Sequence, residues 1–347
     1  MLLVLEDLQW GDRPTVRFVD AVLRNWADRP LLVLALARPE VEDVFPTLWS
    51  DRSVNVIRLR PLSRKASERL VEQAFNERLD PNLLARIIAR AEGNAFYLEE
   101  LVRALADGPK ATMNDGADLP ETVLAMVQSR VEALSVENRR YLRAASVFGE
   151  VFHLSGLATL LGMKSQTPAF QSAVDDLVER ELIQRQEQSR FAGEVQFAFR
   201  HALIRESAYT MLTENDRKLG HRLGGRWLEE HGEPDAMVLA HHFERSDEPM
   251  RAVGAYRRAA EHALEADDLE AAIARAERGI IRGATGDELG ALRLAQAEAH
   301  NWRGELAVSE ERAMEAARLF VPGTVLWFRA FQQAFDVAGK QGEMAPN

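Results

Sequence analysis

Cysteine is absent from the 347 residues. Disulfide frameworks, thiolate metal sites and cysteine nucleophiles are thereby excluded, and a reducing compartment, the cytoplasm, is the setting that fits. No apolar run approaches the roughly 20 residues of a membrane-spanning helix. The apolar start, Met1 to Leu5, lacks the basic flank and small-residue cleavage site of a signal peptide. Positive charge is in deficit, with 43 Lys plus Arg against 54 Asp plus Glu and a formal charge of −11. That field disfavours a nucleic acid or another polyanion as partner and leaves room only for a local basic face.

Several catalytic signatures are missing as well. There is no G-x-S-x-G elbow, no H-E-x-x-H and no H-R-D kinase loop. His241-His242 with Glu244 does not make a metal site, because adjacent histidines point apart on a helix; they read as surface residues. No G-x-x-x-x-G-K-[ST] phosphate loop occurs. The one Gly-Lys pair, Gly339-Lys340, is followed by Gln341 and has Ala334 where the first glycine belongs. What is present, 46% hydrophobic and 28% charged residues, is the balance of a globular chain of two or three domains.

Only the first sixty residues read as α/β. Leu2 to Leu5 is a continuous apolar run closed by Glu6 and Asp7, consistent with a strand buried on both faces. Asp12-Arg13-Pro14 starts a helix carrying Val16, Val19, Val22 and Leu23. Leu31 to Ala37 is a second strand run, closed by Arg38-Pro39, and Val54 to Leu59 is a third. Strand–helix–strand order predicts a parallel sheet. Residues 63–75, 81–92 and 95–106 follow as helices, punctuated by Asp80-Pro81 and Gly93-Asn94. The Gly- and Asp-rich stretch 107–118 reads as a linker.

Helices are predicted over 121–133, 136–147, 154–161 and 168–180, then a hairpin from Leu182 to Arg185 and Val195 to Phe199. Helices closed by a hairpin suggest a winged helix. Residues 120–235 hold 14 basic and 17 acidic side chains, which favours packing over DNA reading. The remainder is Ala-rich and helical. Asp268 to Ala272 aligns with Glu305 to Ser309 at a spacing of 37, with Ala276 over Ala313, and Gly342-Glu343 recurs after Gly304-Glu305. Small residues at fixed helical positions are what stacked hairpins require, although a non-repetitive bundle also accommodates them.

The chemistry concentrates at Glu6-Asp7. Acids at the carboxyl end of a buried strand sit where open α/β sheets bind ligands, and P-loop ATPases present acids there to magnesium and the attacking water. A strand running out into solvated charge has the same four apolar residues and two acids.

The wider stretch, Leu2 through Asp12, resembles the Walker B region of the STAND class of AAA-type ATPases, whose usual form is an apolar strand, (D/E)D, then L-H/Q-W-A/G-D. The second strand with Arg38-Pro39-Glu40 resembles that family's sensor strand. Pro61-Leu62-Ser63 and Glu92-Gly93-Asn94-Ala95-Phe96-Tyr97-Leu98-Glu99-Glu100-Leu101 resemble its lid, and Phe199 to Glu206 resembles the signature after its winged helix. The repeats are similar to tetratricopeptide (TPR) repeats. The resemblance implies a mostly α chain. A remnant of a parallel P-loop ATPase sheet would span 1–61, a helical lid 62–107, a linker 108–119, a winged helix 120–213 and a TPR-like α-solenoid 214–347. It further implies that Glu6 and Asp7 hold Mg²⁺, with Asp7 polarising the attacking water, and that Arg38 senses the γ-phosphate. Asn94 would lie near the adenine, with Ala95 replacing the usual proline. His201 would face the ADP β-phosphate, or serve simply as a helix-start residue packed on the wing.

The missing phosphate loop limits all of this. Without its N–H cradle, its lysine and its hydroxyl, the chain is expected not to bind ATP, ADP or Mg²⁺ tightly by itself. The start on the Walker B strand and the end after a third repeat boundary at Gly342-Glu343 make it read as a slice of a longer protein. The expected function is part of a nucleotide-dependent signalling switch with protein partners at the repeats. Trp10 to Val16 looks closest to the kinase-fused kind of parent. An interaction scaffold with an inert ATPase remnant and a winged-helix transcriptional regulator are the alternatives.

Overall fold

The computed structural model describes residues 1–26, 28–52, 54–75, 79–107 and 123–344; the expected linker at 108–119 falls outside them. The chain is mostly helical and divides into two units, one of residues 1–57, 234–244 and 248–347, the other of 58–233 and 245–247.

The first unit opens with β1 (Leu2–Leu5), a single 3-10 turn at Leu8–Trp10 and helix α1 (Arg13–Asn25). Asp12 caps α1 by accepting from Thr15 N at 2.7 Å, with Pro14 in the first turn, where its missing N–H costs nothing. Strand β2 (Leu32–Ala35) pairs with β1 in parallel, Leu2 opposite Leu32 through Leu5 opposite Ala35. A short helix α2 (Val41–Val44) follows. Leu3, Leu5, Val33 and Ala35 face Leu8, Val19 and Trp49 in a small core. The alternate residues Leu2, Val4, Leu32 and Leu34 are exposed. So the strands are buried on one face, not on both as their continuous apolar runs predict. The third strand expected over Val54 to Leu59 does not form either: the sheet has two strands and that segment carries no ladder. Among the described residues the free edges of β1 and β2 are left unpaired by this segment.

The second unit begins with three helices, α3 (Arg64–Phe75), α4 (Pro81–Ala91) and α5 (Ala95–Asp107), around Val71, Ile87, Leu98 and Leu101. Helices α6 (Val123–Glu132) and α7 (Val136–Ser146) lead to β3 (Val151–His153), α8 (Leu154–Leu161) and α9 (Pro168–Glu179). Strands β4 (Ile183–Arg185) and β5 (Gln196–Phe199) form the hairpin, and β3 adds to the far side of β5, giving an antiparallel sheet of order β3-β5-β4. Phe152, Phe170, Leu177, Phe197 and Phe199 fill its core. Helices α10 (Ala202–Thr210) and α11 (Glu214–Glu230) complete the unit. The expected solenoid at 214–347 includes α11, yet this helix packs on the sheet, where Trp227 meets Phe148, His153 and Phe191.

The remaining helices of the first unit are α12 (Ala236–Glu244), α13 (Pro249–Glu265), α14 (Leu269–Ile281), α15 (Gly286–Trp302), α16 (Leu306–Leu319) and α17 (Val325–Met344). Each packs on the next, and α13, α15 and α17 also touch in series, as stacked hairpins do. The 37-residue alignment has a structural counterpart. Asp268 and Glu305 are the N-caps of α14 and α16, and Ala276 and Ala313 are fully buried. Close approach explains the small residues: a Cβ on Gly290 would lie 2.8 Å from the Phe320 ring. The third boundary expected at Gly342-Glu343 is absent, because both residues lie inside the continuous helix α17. Among the described residues no helix is long and apolar enough to cross a membrane.

Candidate functional site

The carboxyl ends of β1 and β2 bring together three residues that the sequence singles out. Past Leu5 the chain turns at Asp7, which adopts the left-handed conformation (φ 52°, ψ 41°) that aspartate tolerates better than most side chains. The turn lets Leu8 N donate to Leu36 O at 3.1 Å, extending the β1–β2 contact, while Leu36 N donates to Leu5 O at 2.7 Å. Gln9, only 7% exposed, is the clamp. Its Nε2 donates to Asp7 Oδ1 at 2.9 Å and its Oε1 accepts from Arg38 N at 3.0 Å. One buried amide thus fixes both the aspartate carboxylate and the backbone of the arginine. The Arg38 guanidinium lies over the Trp10 ring, 5.3 Å from its centre. Glu6, adjacent to Asp7 in sequence, is exposed.

This arrangement is an ordered acid and an exposed arginine at the ligand-binding end of a parallel sheet. It is not a complete Mg·nucleotide site. Among the described residues no group of three or more acids or histidines could hold a metal. No glycine-rich loop offers N–H donors, and no lysine stands beside Asp7 in the sequence. The residues present therefore do not fit the whole of Mg·ATP. Gln9 and Trp10 were not candidates from the sequence; the buried amide acts through geometry that a Q-W dipeptide does not announce.

The other two predicted residues belong to the second unit. Asn94 caps α5, its Oδ1 accepting from Tyr97 N at 3.1 Å. Before it, Gly93 (φ +79°) accepts at its carbonyl from Leu62 N at 2.8 Å, and a Cβ there would lie 2.8 Å from Leu62 O. The two separate sequence blocks, Pro61-Leu62-Ser63 and Glu92-Gly93-Asn94, are therefore laid against each other, and only glycine fits between them.

His201 is the N-cap residue of α10, and its ring meets Phe96 of α5 at 4.0 Å between centroids. Its Nε2 is buried with no hydrogen-bond partner. Burial holds its pKa below the usual histidine value, outweighing the opposing pull of Glu99 and Glu100. Beside this contact lies an ion network that the sequence gives little sign of. The Glu100 side chain, 2% exposed, accepts from Arg130 Nη1 at 2.9 and 3.1 Å and from Arg103 Nη1 at 3.0 Å. Arg103 also reaches Glu99 at 3.1 Å and pairs with Glu181, and Arg130 donates to the Arg180 carbonyl. The network ties α5 to α6 and to the turn between α9 and β4. The one available signal was spacing: Phe96, Glu100 and Arg103 fall on one face of α5.

No family model matches the chain. An uncharacterised protein of Rhizobium meliloti is 26% identical over 231 residues, which is 64% of this chain and 22% of that protein. A crystal structure of a Signal Transduction ATPase with Numerous Domains (STAND) protein with a TPR sensor, from Pyrococcus horikoshii, superposes with a TM-score of 0.55 at 12% identity. It covers 98% of this chain and 50% of its own. The chain has a STAND-type fold with TPR-like helical hairpins. It spans half the length of that structure and under a quarter of the relative.

Proposed function

We propose that this chain is part of a nucleotide-controlled signalling switch, with the acid-and-arginine half of the nucleotide site in its N-terminal residues and a partner-sensing helical array in its C-terminal residues. The observation that carries the reading is the Gln9 clamp, which holds Asp7 and the Arg38 backbone together at the carboxyl ends of two parallel strands. Asp7 with Glu6 would be its acidic side and Arg38 its phosphate-facing cation. The missing N–H cradle and lysine would come from additional sequence, on a further strand of the same sheet. The exposed Leu2, Val4, Leu32 and Leu34 support this, because parallel sheets are ordinarily covered on both faces.

In the same reading, α3 to α5 are the lid, and α6 through α10 with the three-stranded sheet are a winged helix. Phe96–His201 and the Glu100 network are the contact between them. Asn94 acts through the conformation of its turn, and His201 is held neutral and ready to face a phosphate. A kinase-fused output domain enters on the sequence of Trp10 to Val16 alone. Protein partners would dock on the helical hairpins. A scaffold with an inert ATPase remnant is the second reading, favoured by the incomplete nucleotide site.

Calorimetric titration with Mg·ATP separates the two. This chain should give no measurable heat. A longer polypeptide from the same gene, including a G-x-x-x-x-G-K-[ST] loop, should bind and should lose affinity on Asp7→Asn. A parent gene without that loop, or binding indifferent to Asp7→Asn, would refute the switch and leave the scaffold.

A further inference from the structure

Two imidazoles stack on one indole in the second unit. Trp227, buried near the end of α11, has the His153 ring of β3 at 5.2 Å between centroids (28° between planes) and the His231 ring at 4.0 Å (22°). Phe148 and Phe191 meet the same indole edge-on at 5.9 and 5.5 Å. The indole Nε1 donates to Ser155 Oγ of α8 at 3.2 Å, and Ser155 Oγ donates to Glu194 Oε2 at 2.8 Å. Arg190, in the same β4–β5 connection as Glu194, pairs at 2.5 Å with Glu233, whose side chain is buried. So β3, α8 and the β4–β5 connection together grip residues 227–233, the end of the second unit's long segment before Pro234. Trp227 stands outside the core around Phe152, Phe170 and Phe199, which lets this grip loosen without unfolding the unit.

The stack suits a neutral His153. Its Nε2 donates to Gln196 Oε1 at 3.2 Å, and the same oxygen accepts from Arg190 N at 2.8 Å, which fixes it as the acceptor of the pair. A second proton must therefore go on Nδ1, which has no hydrogen-bond acceptor among the described residues. Burial holds the His153 pKa below the usual histidine value, outweighing the Gln196 hydrogen bond and the Glu194 carboxylate, while His231 and Arg190 add to the depression. Glu194 is also shared, since its Oε1 lies 3.8 Å from His231 Nε2 and its Oε2 takes the Ser155 hydroxyl. We infer that the His153–Trp227–His231 stack is a pH-sensitive latch: a neutral His153 fixes residues 227–233 to the three-stranded sheet, and a proton on it releases them. A depressed histidine binds fewer protons latched than released. Latching is thus complete above the released-state value near 6.5 and weakens as the pH falls below it. The released residues are those through which the chain passes from α11 to α12, so the latch sets whether that passage starts from an anchored or a loose segment.

Hydrogen exchange of the full chain at pH 7.5 and 5.5, with the intrinsic rate divided out, reads the latch directly. Opening of residues 227–233 should rise severalfold at the lower pH, towards the roughly tenfold that one group with a released value near 6.5 allows. His153→Phe keeps an aromatic ring on the indole and takes no proton, so opening in that variant should be the same at both pH values. His201→Phe should leave the rise in place. In the unsubstituted chain the Cε1–H resonance of His153 should titrate below about 6.5, a measurement that needs no variant to fold. A rise that survives His153→Phe or vanishes in His201→Phe, exchange at 227–233 indifferent to pH, or a His153 ring titrating at or above about 6.5 would each overturn the inference.

Discussion

Replacing Glu100 by alanine is the sharpest probe of the second unit. Its carboxylate is 2% exposed and accepts from two arginines whose side chains are each 19% exposed. Removing one partner of a buried ion pair costs about 3–5 kcal/mol, because the charges left behind remain desolvated. Here both guanidiniums keep an alternative: Arg103 has Glu99 and Glu181, and Arg130 has the Arg180 carbonyl. Each is also partly in reach of water. The expected loss for Glu100→Ala is therefore about 2–4 kcal/mol, and Glu100→Gln, which keeps the shape and an acceptor, should lose about half as much. For a unit of this size, 3 kcal/mol corresponds to a fall of about 6–12 °C in melting temperature. Hydrogen exchange should show the loss locally, with faster exchange in α5 and α6 and little change in α13 to α17. The double variant Glu100→Met/Arg130→Met should recover much of the single-variant loss, since the pair contributes less than its rupture costs. A Glu100→Ala protein within about 0.5 kcal/mol of the parent, the range of ordinary surface substitutions, would show that the network is not what holds α5 to α6.

Three further outcomes follow from the same geometry. Gln9→Leu removes the clamp between Asp7 and Arg38 N; it should destabilise the β1–β2 piece by about 2 kcal/mol and speed exchange of the Leu8 and Arg38 amides, and unchanged protection there would contradict it. Gly93→Ala forces a side chain into a left-handed residue 2.8 Å from Leu62 O, so a cost of at least about 1–3 kcal/mol is expected, measurable by urea unfolding. Burial depresses the His201 pKa, so its contribution to stability is fully present above the unfolded histidine value near 6.5 and is lost as the pH falls below that value towards the folded one. His201→Phe should therefore flatten the fall in melting temperature between pH 7.5 and 5.5 without abolishing it, because burial also depresses His153.

The helices were legible because their signals are local. Asp80-Pro81 starts α4 where it says it should, and Asp268 and Glu305 open α14 and α16 in the same 37-residue register that brings Ala276 and Ala313 to full burial. What was illegible depends on partners distant in sequence. Strand β3 is three residues long, too short to show a period, and exists because β5 offers it an edge. Val54 to Leu59 has every local mark of a strand and forms none, since a strand needs a distant partner that local sequence cannot report. Gly342-Glu343 imitates the Gly304-Glu305 boundary, but Gly304 adopts a positive φ of 77° at a real turn and α17 runs straight on. At the candidate site the acids and Arg38 stood out by type. Gln9 and Glu100 did not, since a buried polar residue is recognised only by the groups that satisfy it.

Those failures are not scattered at random along the chain. Three of them concern the first sixty residues: the bare face of β1 and β2, the unpaired Val54 to Leu59 and the candidate nucleotide site without an N–H cradle. Each exposed leucine or valine of the sheet, about half accessible, forgoes about 1 kcal/mol of burial, and a two-stranded sheet is marginal even with one good face. Local sequence at β1, β2 and 54–59 is consistent with a larger sheet, and a sequence whose local signals agree with each other but not with its surroundings has usually been shaped for a fuller context. One added strand, with a phosphate loop and the helix that follows it, would satisfy all three at once: an edge for Val54 to Leu59, a helix over part of the leucine face, and donors for an anion beside Asp7 and Arg38. If the deficits had independent causes, supplying that strand would mend the site yet leave the sheet as labile as before. The unified account requires instead that exchange protection in β1 and β2 rise together with Mg·ATP affinity when the longer polypeptide is compared with this chain. Affinity gained without added protection would separate the site from the sheet.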